Sequence, residues 1–145
     1  MTRARDLAEI ATKDITGTVT VDGLVVAGNV SVDSGTIKLD GNYPTGTGNV
    51  ALGDTALDSV QSGGDNNVAI GHNAGTAITT GVQNILIGGL AGDALTTGGE
   101  NVAVGYSALS SEDGHGQNVA VGTQALSSQN AGTNANNTAV GYLAG

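Results

Sequence analysis

The chain has 145 residues, of which 25 are Gly, three are Tyr and none is Phe, Trp or Cys. This composition argues against a conventional globular core, which draws much of its buried area from aromatic side chains, and it excludes disulfides and thiol chemistry. The formal net charge of −9 argues against nucleic acid binding. No apolar stretch is long enough to insert in a membrane.

Residues 1–14 are predicted to form a short N-terminal α-helix. Thr2 can cap it, and apolar residues recur at helical spacing at Ala4, Leu7, Ala8, Ile10 and Ala11. Because so short a helix is marginal alone in water, it needs a docking surface on its own copies or on a partner. A frayed terminus is the alternative.

Residues 15–41 change to a period of two and predict a short β-segment. Turn sequences interrupt it at Asp22-Gly23, Gly28-Asn29 and Asp33-Ser34-Gly35. Residues 42–48, which contain the single proline, Pro44, are predicted to connect this segment to the next domain.

Residues 49–145 contain a nine-residue phrase six times. It begins at Asn49 and returns at intervals of 18, 17, 17, 17 and 19 residues, from Asn67, Asn84, Asn101, Asn118 and Asn137. Self-similarity at such a period indicates a solenoid, in which each repeat forms one coil. We number the positions of each repeat from its Asn.

Positions 1 and 5 are invariant and are predicted to form corners, because Asn and Gly tolerate positive φ angles. The Asn residues are those that begin the repeats, and the Gly residues are Gly53, Gly71, Gly88, Gly105, Gly122 and Gly141. Positions 2 and 4 between them hold β-branched or aliphatic residues in almost every copy. Residues two apart share one side of a strand, so this pair is predicted to face the coil interior.

Position 3 is then predicted to face away from the coil, yet it is apolar in every repeat. A strand that is apolar on both faces is normally buried on both faces. We therefore expect position 3 to pack against neighbouring chains of an oligomer. The residues concerned are Ala51, Ala69, Leu86, Ala103, Ala120 and Ala139.

Positions 9 and 12 are complementary. Where position 9 is Gly, as at Gly75, position 12 is aliphatic; where position 9 is Leu, as at Leu109, position 12 is polar. The first repeat is the exception, because it carries both Leu57 and Val60. We infer that one interior space is filled from either position. Position 8 is always Ala, whereas position 6 is variable and is predicted to be an outward corner.

No catalytic, cofactor or metal site is predicted. His72 lies at the variable position 6 and His115 in a Gly-rich turn. The adjacent pair Glu112-Asp113 leaves a glycosidase as a remote alternative, and the Gly-Gly-acidic turns ending at Asp65 and Glu100 leave calcium binding as another. A hexapeptide-repeat acyltransferase is a third, since Ile70–Gly75 fits one hexad.

The phrases NVAVGYSAL, NVAVGTQAL and NTAVGYLAG resemble the heads of trimeric autotransporter adhesins of the YadA type and the repeats of phage tail fibres. The resemblance implies an all-β fold: a left-handed parallel β-roll solenoid, three chains of which pack side by side in a homotrimer. The opening Ala4-Arg5-Asp6-Leu7-Ala8 is similar to structural proteins of phages of marine cyanobacteria.

The expected function is that of a non-enzymatic tail fibre located in the virion tail. Its N-terminus, through Arg3, Arg5, Leu7 and Ile10, would dock on a tail adaptor or nozzle protein. A host surface receptor would bind parts of a longer chain, because the sixth repeat ends without a cap. The alternative is a trimeric adhesin head on the bacterial cell surface.

Overall fold

The computed structural model describes residues 45–130, 132–133 and 136–145. They belong to a compact unit that extends over Lys38–Gly145. The predicted N-terminal helix, the β-segment and residues 42–44 of the connector lie outside the described residues.

The described part of the chain is a parallel β-solenoid without helix, as the repeats predicted. Six three-residue strands occupy positions 2 to 4 of the six repeats: β1 Val50–Leu52, β2 Val68–Ile70, β3 Ile85–Ile87, β4 Val102–Val104, β5 Val119–Val121 and β6 Thr138–Val140. They form one sheet in the order β1 to β6, and every neighbouring pair is parallel. Neighbouring strands pair so that residues at the same repeat position lie side by side, as Val50 does with Val68.

Backbone hydrogen bonds between coils continue around the turns as well as along the strands. The Val68 amide donates to the Asn84 carbonyl at 2.8 Å, and the Asn73 amide donates to the Asp54 carbonyl at 3.0 Å. Such bonding satisfies backbone groups that a narrow coil would otherwise bury unpaired. Each coil is therefore stabilised mainly by the coils above and below it, at a spacing of about 4.8 Å.

The glycines at position 5 form the corner that the sequence predicted. Gly105 has a φ of 138°, and a Cβ added to it would lie 2.4 Å from the carbonyl oxygen of Gly122 in the next coil. Real Cβ atoms do not approach a carbonyl oxygen so closely. Only glycine therefore allows the corner to stack at the spacing of the sheet.

The core of the solenoid is built from small residues. Position 8 is buried from Ala56 to Ala125, and it packs with position 3, which Ala69 and Ala103 represent. The larger aliphatic side chains of the core come from positions 9 and 12 and from Leu86: Leu57, Val60, Ile78, Leu86, Leu95, Leu109 and Leu126.

Positions 9 and 12 do share one interior space. A Cβ added to Gly75 would lie 3.0 Å from Cδ1 of Ile78, and one added to Gly92 would lie 2.8 Å from Cδ1 of Leu95. The same added atoms would lie 2.7 and 2.8 Å from the two methyl groups of Leu86. Leu86, the only large residue at position 3, thus occupies room that the two glycines leave.

The prediction of which strand face points inward is wrong. Position 3 points into the coil, while positions 2 and 4 point outward. The inversion has a steric cause. The coil interior is narrow and is already filled from positions 8, 9 and 12, so the strand can present only a small side chain to it.

Candidate functional site

The outer face of the sheet is an ordered array of uncharged side chains from positions 2 and 4. The exposed fractions are 46% for Leu52, 37% for Ile70, 42% for Ile85, 37% for Ile87 and 69% for Val140. Val102, Val104, Val119 and Val121 on the same face are partly buried. Equal positions of neighbouring strands lie side by side, so these side chains form a continuous apolar stripe across the sheet.

Position 3, the predicted inter-chain surface, has no such role in the middle of the sheet. Ala69, Leu86, Ala103 and Ala120 are completely buried within one chain. Ala51 and Ala139 are partly buried and pack against the same core. A fully buried side chain offers nothing to a neighbouring chain, so the assignment of these residues to chain-to-chain packing is corrected.

The asparagines at position 1 form a buried hydrogen-bonded column rather than positive-φ corners. The positive φ angles fall one residue earlier, at 60° for Asn66 and 59° for Gln83. Asn67, Asn84, Asn101 and Asn118 are fully buried. Their role is therefore to satisfy backbone groups inside the coil.

Each asparagine in this column bonds to the next one along the chain. The Oδ1 atom of Asn84 accepts from the backbone amide of Asn101 at 3.0 Å and from its Nδ2 at 3.1 Å. The same pattern repeats between Asn101 and Asn118, at 3.0 and 3.1 Å. Asn137 joins the column, since its backbone amide donates to Oδ1 of Asn118 at 3.1 Å.

Position 6 is an exposed corner, as predicted. Tyr106 and Tyr142 are exposed by 56% and 72%, and His72 is also exposed. A Cβ added to Gly89 would lie 3.4 Å from the Tyr106 ring, so the ring covers the glycine of the preceding coil. No packing requirement fixes this position beyond that contact.

One turn brings together Glu112, Asp113 and His115, a grouping that was not predicted from the sequence. Oε1 of Glu112 lies 2.8 Å from Nδ1 of His115 and accepts from its backbone amide at 3.2 Å. Oδ1 of Asp113 lies 4.0 Å from the same Nδ1 atom. One ligand atom from each residue falls within 4.8 Å of the other two. The feature of the sequence that indicates this grouping is the spacing Glu-Asp-x-His.

Glu112 is buried because position 12 points into the coil. Val60, Ile78 and Leu95 occupy this position in the first three coils and are buried too. Gln129, one coil later, donates to Oε2 of Glu112 at 3.3 Å and to Oδ1 of Asn118 at 3.1 Å. At position 12 the buried residue thus changes from apolar to polar between the third and the fourth coil, while Leu109 and Leu126 keep the rest of the interior apolar.

The acidic turns considered for calcium make ordinary hydrogen bonds. Asp65 accepts from the Thr47 amide at 2.7 Å, and Glu100 accepts from the Gln117 side chain at 3.3 Å.

Partial burial raises the pKa of Asp93 above its usual value, against the opposing effect of backbone hydrogen bonds at Asp93 and Ala94. The folded chain therefore holds a proton on Asp93 more readily than the unfolded chain.

The residues predicted to attach to the virion, Arg3, Arg5, Leu7 and Ile10, lie outside the described residues. Within the described part of the chain, no helix is long and apolar enough to cross a membrane. No family model, curated protein or solved structure matches this chain.

Proposed function

We propose that the chain is a non-enzymatic structural protein that assembles with copies of itself into a fibre. The observation that carries this proposal is the outer apolar face, which runs from Leu52 to Val140 on consecutive coils of a single chain. Covering one such side chain stabilises an assembly by on the order of 1 kcal/mol. Six coils together supply a substantial contact.

A second copy of this chain fits the outer face better than an unrelated protein does. Its side chains recur at the spacing of the coils, and another copy presents the same spacing, so the two arrays interdigitate along their whole length. Positions 2 and 4 carry no charged residue, although the chain has a net charge of −9. Chains that repel one another elsewhere can therefore approach through this face.

We further propose a left-handed β-roll in a homotrimer, by resemblance to tail fibre and adhesin repeats. In this proposal the solenoid is the shaft of a phage tail fibre located in the virion tail. A predicted N-terminal helix would dock on a tail adaptor or nozzle protein through Arg3, Arg5, Leu7 and Ile10, and a host receptor would bind elsewhere on the fibre. The alternative location is the bacterial cell surface, as an adhesin head.

Sedimentation of two variants tests the assembly. Ile87→Glu places a charge on the outer face, where the single chain tolerates it but a neighbouring chain would bury it unpaired. We expect the parent chain to sediment as a trimer and Ile87→Glu as a folded monomer. Tyr106→Ala, at the exposed corner, is the control and should stay trimeric.

Two outcomes would contradict the assembly: a parent chain that sediments as a monomer, or an Ile87→Glu variant that sediments like the parent. Circular dichroism of each variant verifies that it is folded.

Location and activity need separate measurements. Antibodies against the solenoid should label phage tails in electron micrographs; labelling of the bacterial surface in their place would favour the adhesin. Calorimetry with acyl-CoA should give no heat of binding. A saturable signal would favour the acyltransferase, for which the sequence offers one hexad per repeat, such as Ile70–Gly75.

A further inference from the structure

We propose that Glu112, Asp113 and His115 form a binding site for a divalent cation of the zinc type. The three residues offer one imidazole nitrogen and two carboxylate oxygens within 4.8 Å of one another. Three protein ligands and an open position for water are typical of accessible zinc sites.

The ligand separations suit a small metal ion. Ligand atoms that each lie about 2.1 Å from a tetrahedral metal stand about 3.4 Å from one another. The Nδ1 atom of His115 lies 2.8 Å from Oε1 of Glu112 and 4.0 Å from Oδ1 of Asp113, on either side of that value. The third separation, between Oε1 of Glu112 and Oδ1 of Asp113, is within 4.8 Å. Rotation of these side chains to about 3.4 Å from one another would bring the three atoms onto one ion.

The turn that carries these residues is held in place by the preceding coil and by Asn101 of its own coil. The backbone amide and the hydroxyl of Thr96 both donate to the carbonyl of Asp113, the hydroxyl at 2.8 Å. Nδ2 of Asn101 donates to the carbonyl of His115 at 3.2 Å. A Cβ on Gly98 would lie 2.2 Å from that carbonyl oxygen, so a glycine there lets the turn close. Such preorganisation lowers the cost of collecting three ligands.

Charge gives an independent reason for a cation. Glu112 is completely buried, and a buried carboxylate is costly unless a positive charge is nearby. The four basic residues of the chain precede residue 39, so the described residues contain no Lys or Arg. Within the described part, His115 is the partner of Glu112 that can carry positive charge. A divalent ion between the two would compensate the carboxylate fully.

The accessibility and chemistry of the ligands favour zinc over calcium or magnesium. His115 and Asp113 are exposed by 24% and 58%, so an ion can enter from solvent and keep a bound water. Calcium and magnesium prefer a full set of oxygen ligands, whereas imidazole suits zinc.

Calorimetric titration of the full, untagged chain with zinc chloride tests the site. We expect one zinc ion per chain, and no comparable binding of calcium or magnesium chloride. Changing an outer partner of a metal ligand already costs about 10–100-fold in affinity, so loss of a direct ligand in His115→Ala should cost about 100-fold or more. Asp113→Asn should weaken binding to a smaller extent.

The matched control is His72→Ala, which removes the other histidine of the chain. It should bind zinc as the parent does. The proposal is overturned if the parent does not bind zinc, if His115→Ala binds as tightly as the parent, or if His72→Ala removes the binding. Since all three ligands belong to one chain and lie off the outer face, zinc binding can fail while the assembly stands, and the reverse.

Discussion

At the scale of single residues, the buried asparagines explain why position 1 is invariant. In Asn67, Asn84 and Asn101 the side chain accepts two hydrogen bonds from the next asparagine and donates to a carbonyl of its own turn. Asn84, for example, donates from Nδ2 to the Gly98 carbonyl at 2.9 Å while its Oδ1 accepts from Asn101. Aspartate lacks the donor and would add a charge, and alanine lacks both groups.

Replacement of one asparagine should therefore destabilise the chain. Asn101→Ala leaves the buried backbone amide of Asn118 without its acceptor, and it removes one of the two acceptors of Asn118 Nδ2. An unsatisfied buried polar group costs about 1–3 kcal/mol, so we expect a loss of about 3 kcal/mol in the free energy of unfolding. Urea denaturation at one fixed chain concentration measures it.

The control for this prediction is Asn130→Ala at an exposed position. Its free energy of unfolding should stay within about 0.5 kcal/mol of the parent. Equal effects of Asn130→Ala and Asn101→Ala would show that the buried asparagines contribute no more than a surface residue.

At the scale of one coil, side chains from positions 3, 9 and 12 fill the same interior volume. Leu86 replaces the usual alanine of position 3 where position 9 is glycine in its own coil and in the one before, at Gly92 and Gly75. Three positions of the repeat thus vary together, and the aliphatic residues of position 12 complete the same volume.

This shared volume makes Leu86→Ala a costly change, although alanine is the common residue at position 3. Gly75 and Gly92 have no side chains that could fill the cavity, so we expect a loss of about 2–5 kcal/mol in the free energy of unfolding. Thermal or urea unfolding measures the loss. The double variant Leu86→Ala, Gly92→Leu restores a side chain to the volume and should recover part of the stability; no recovery would contradict the shared space.

Much of the coil could be predicted from the sequence. The period placed all six strands, and the complementary residues at positions 9 and 12 identified the shared interior space. The direction of the strand faces could not be predicted from alternation alone. Val102 and Ala103 are both apolar, and the choice between them depends on the width of the coil, which only the packing of the other positions determines.

The burial of Glu112 could not be predicted from the sequence, for a related cause. The complementarity of positions 9 and 12 predicts that Leu109 fills the interior of that coil, and it does not place Glu112 there. The backbone nevertheless carries position 12 inward, whatever residue occupies it. The burial of Glu112, and with it the approach of His115, follows from the stacking of the coils rather than from the local turn sequence.

At the scale of the whole molecule, the two faces of the strands predict two different failures. Ala103→Glu puts a charge into the fully buried core, so we expect loss of the fold itself. Ile87→Glu puts the same charge on the outer face, so we expect loss of assembly with the coil intact.

Circular dichroism together with sedimentation separates these two failures. Ala103→Glu should lose its β-sheet spectrum, and Ile87→Glu should keep it. If Ala103→Glu gave a folded monomer, position 3 would be a chain-to-chain contact and not part of the core.

Because equal repeat positions pair in register, the number of coils in the solenoid can change without a change in how neighbouring strands pair. Asn101 and Asn118 begin coils of identical backbone course, so excision of residues 102–118 would join Asn101 to Val119 with the phrase unbroken. Duplication or loss of a whole coil in a gene would then lengthen or shorten the solenoid by a single step of about 4.8 Å while the backbone ladder continues unbroken.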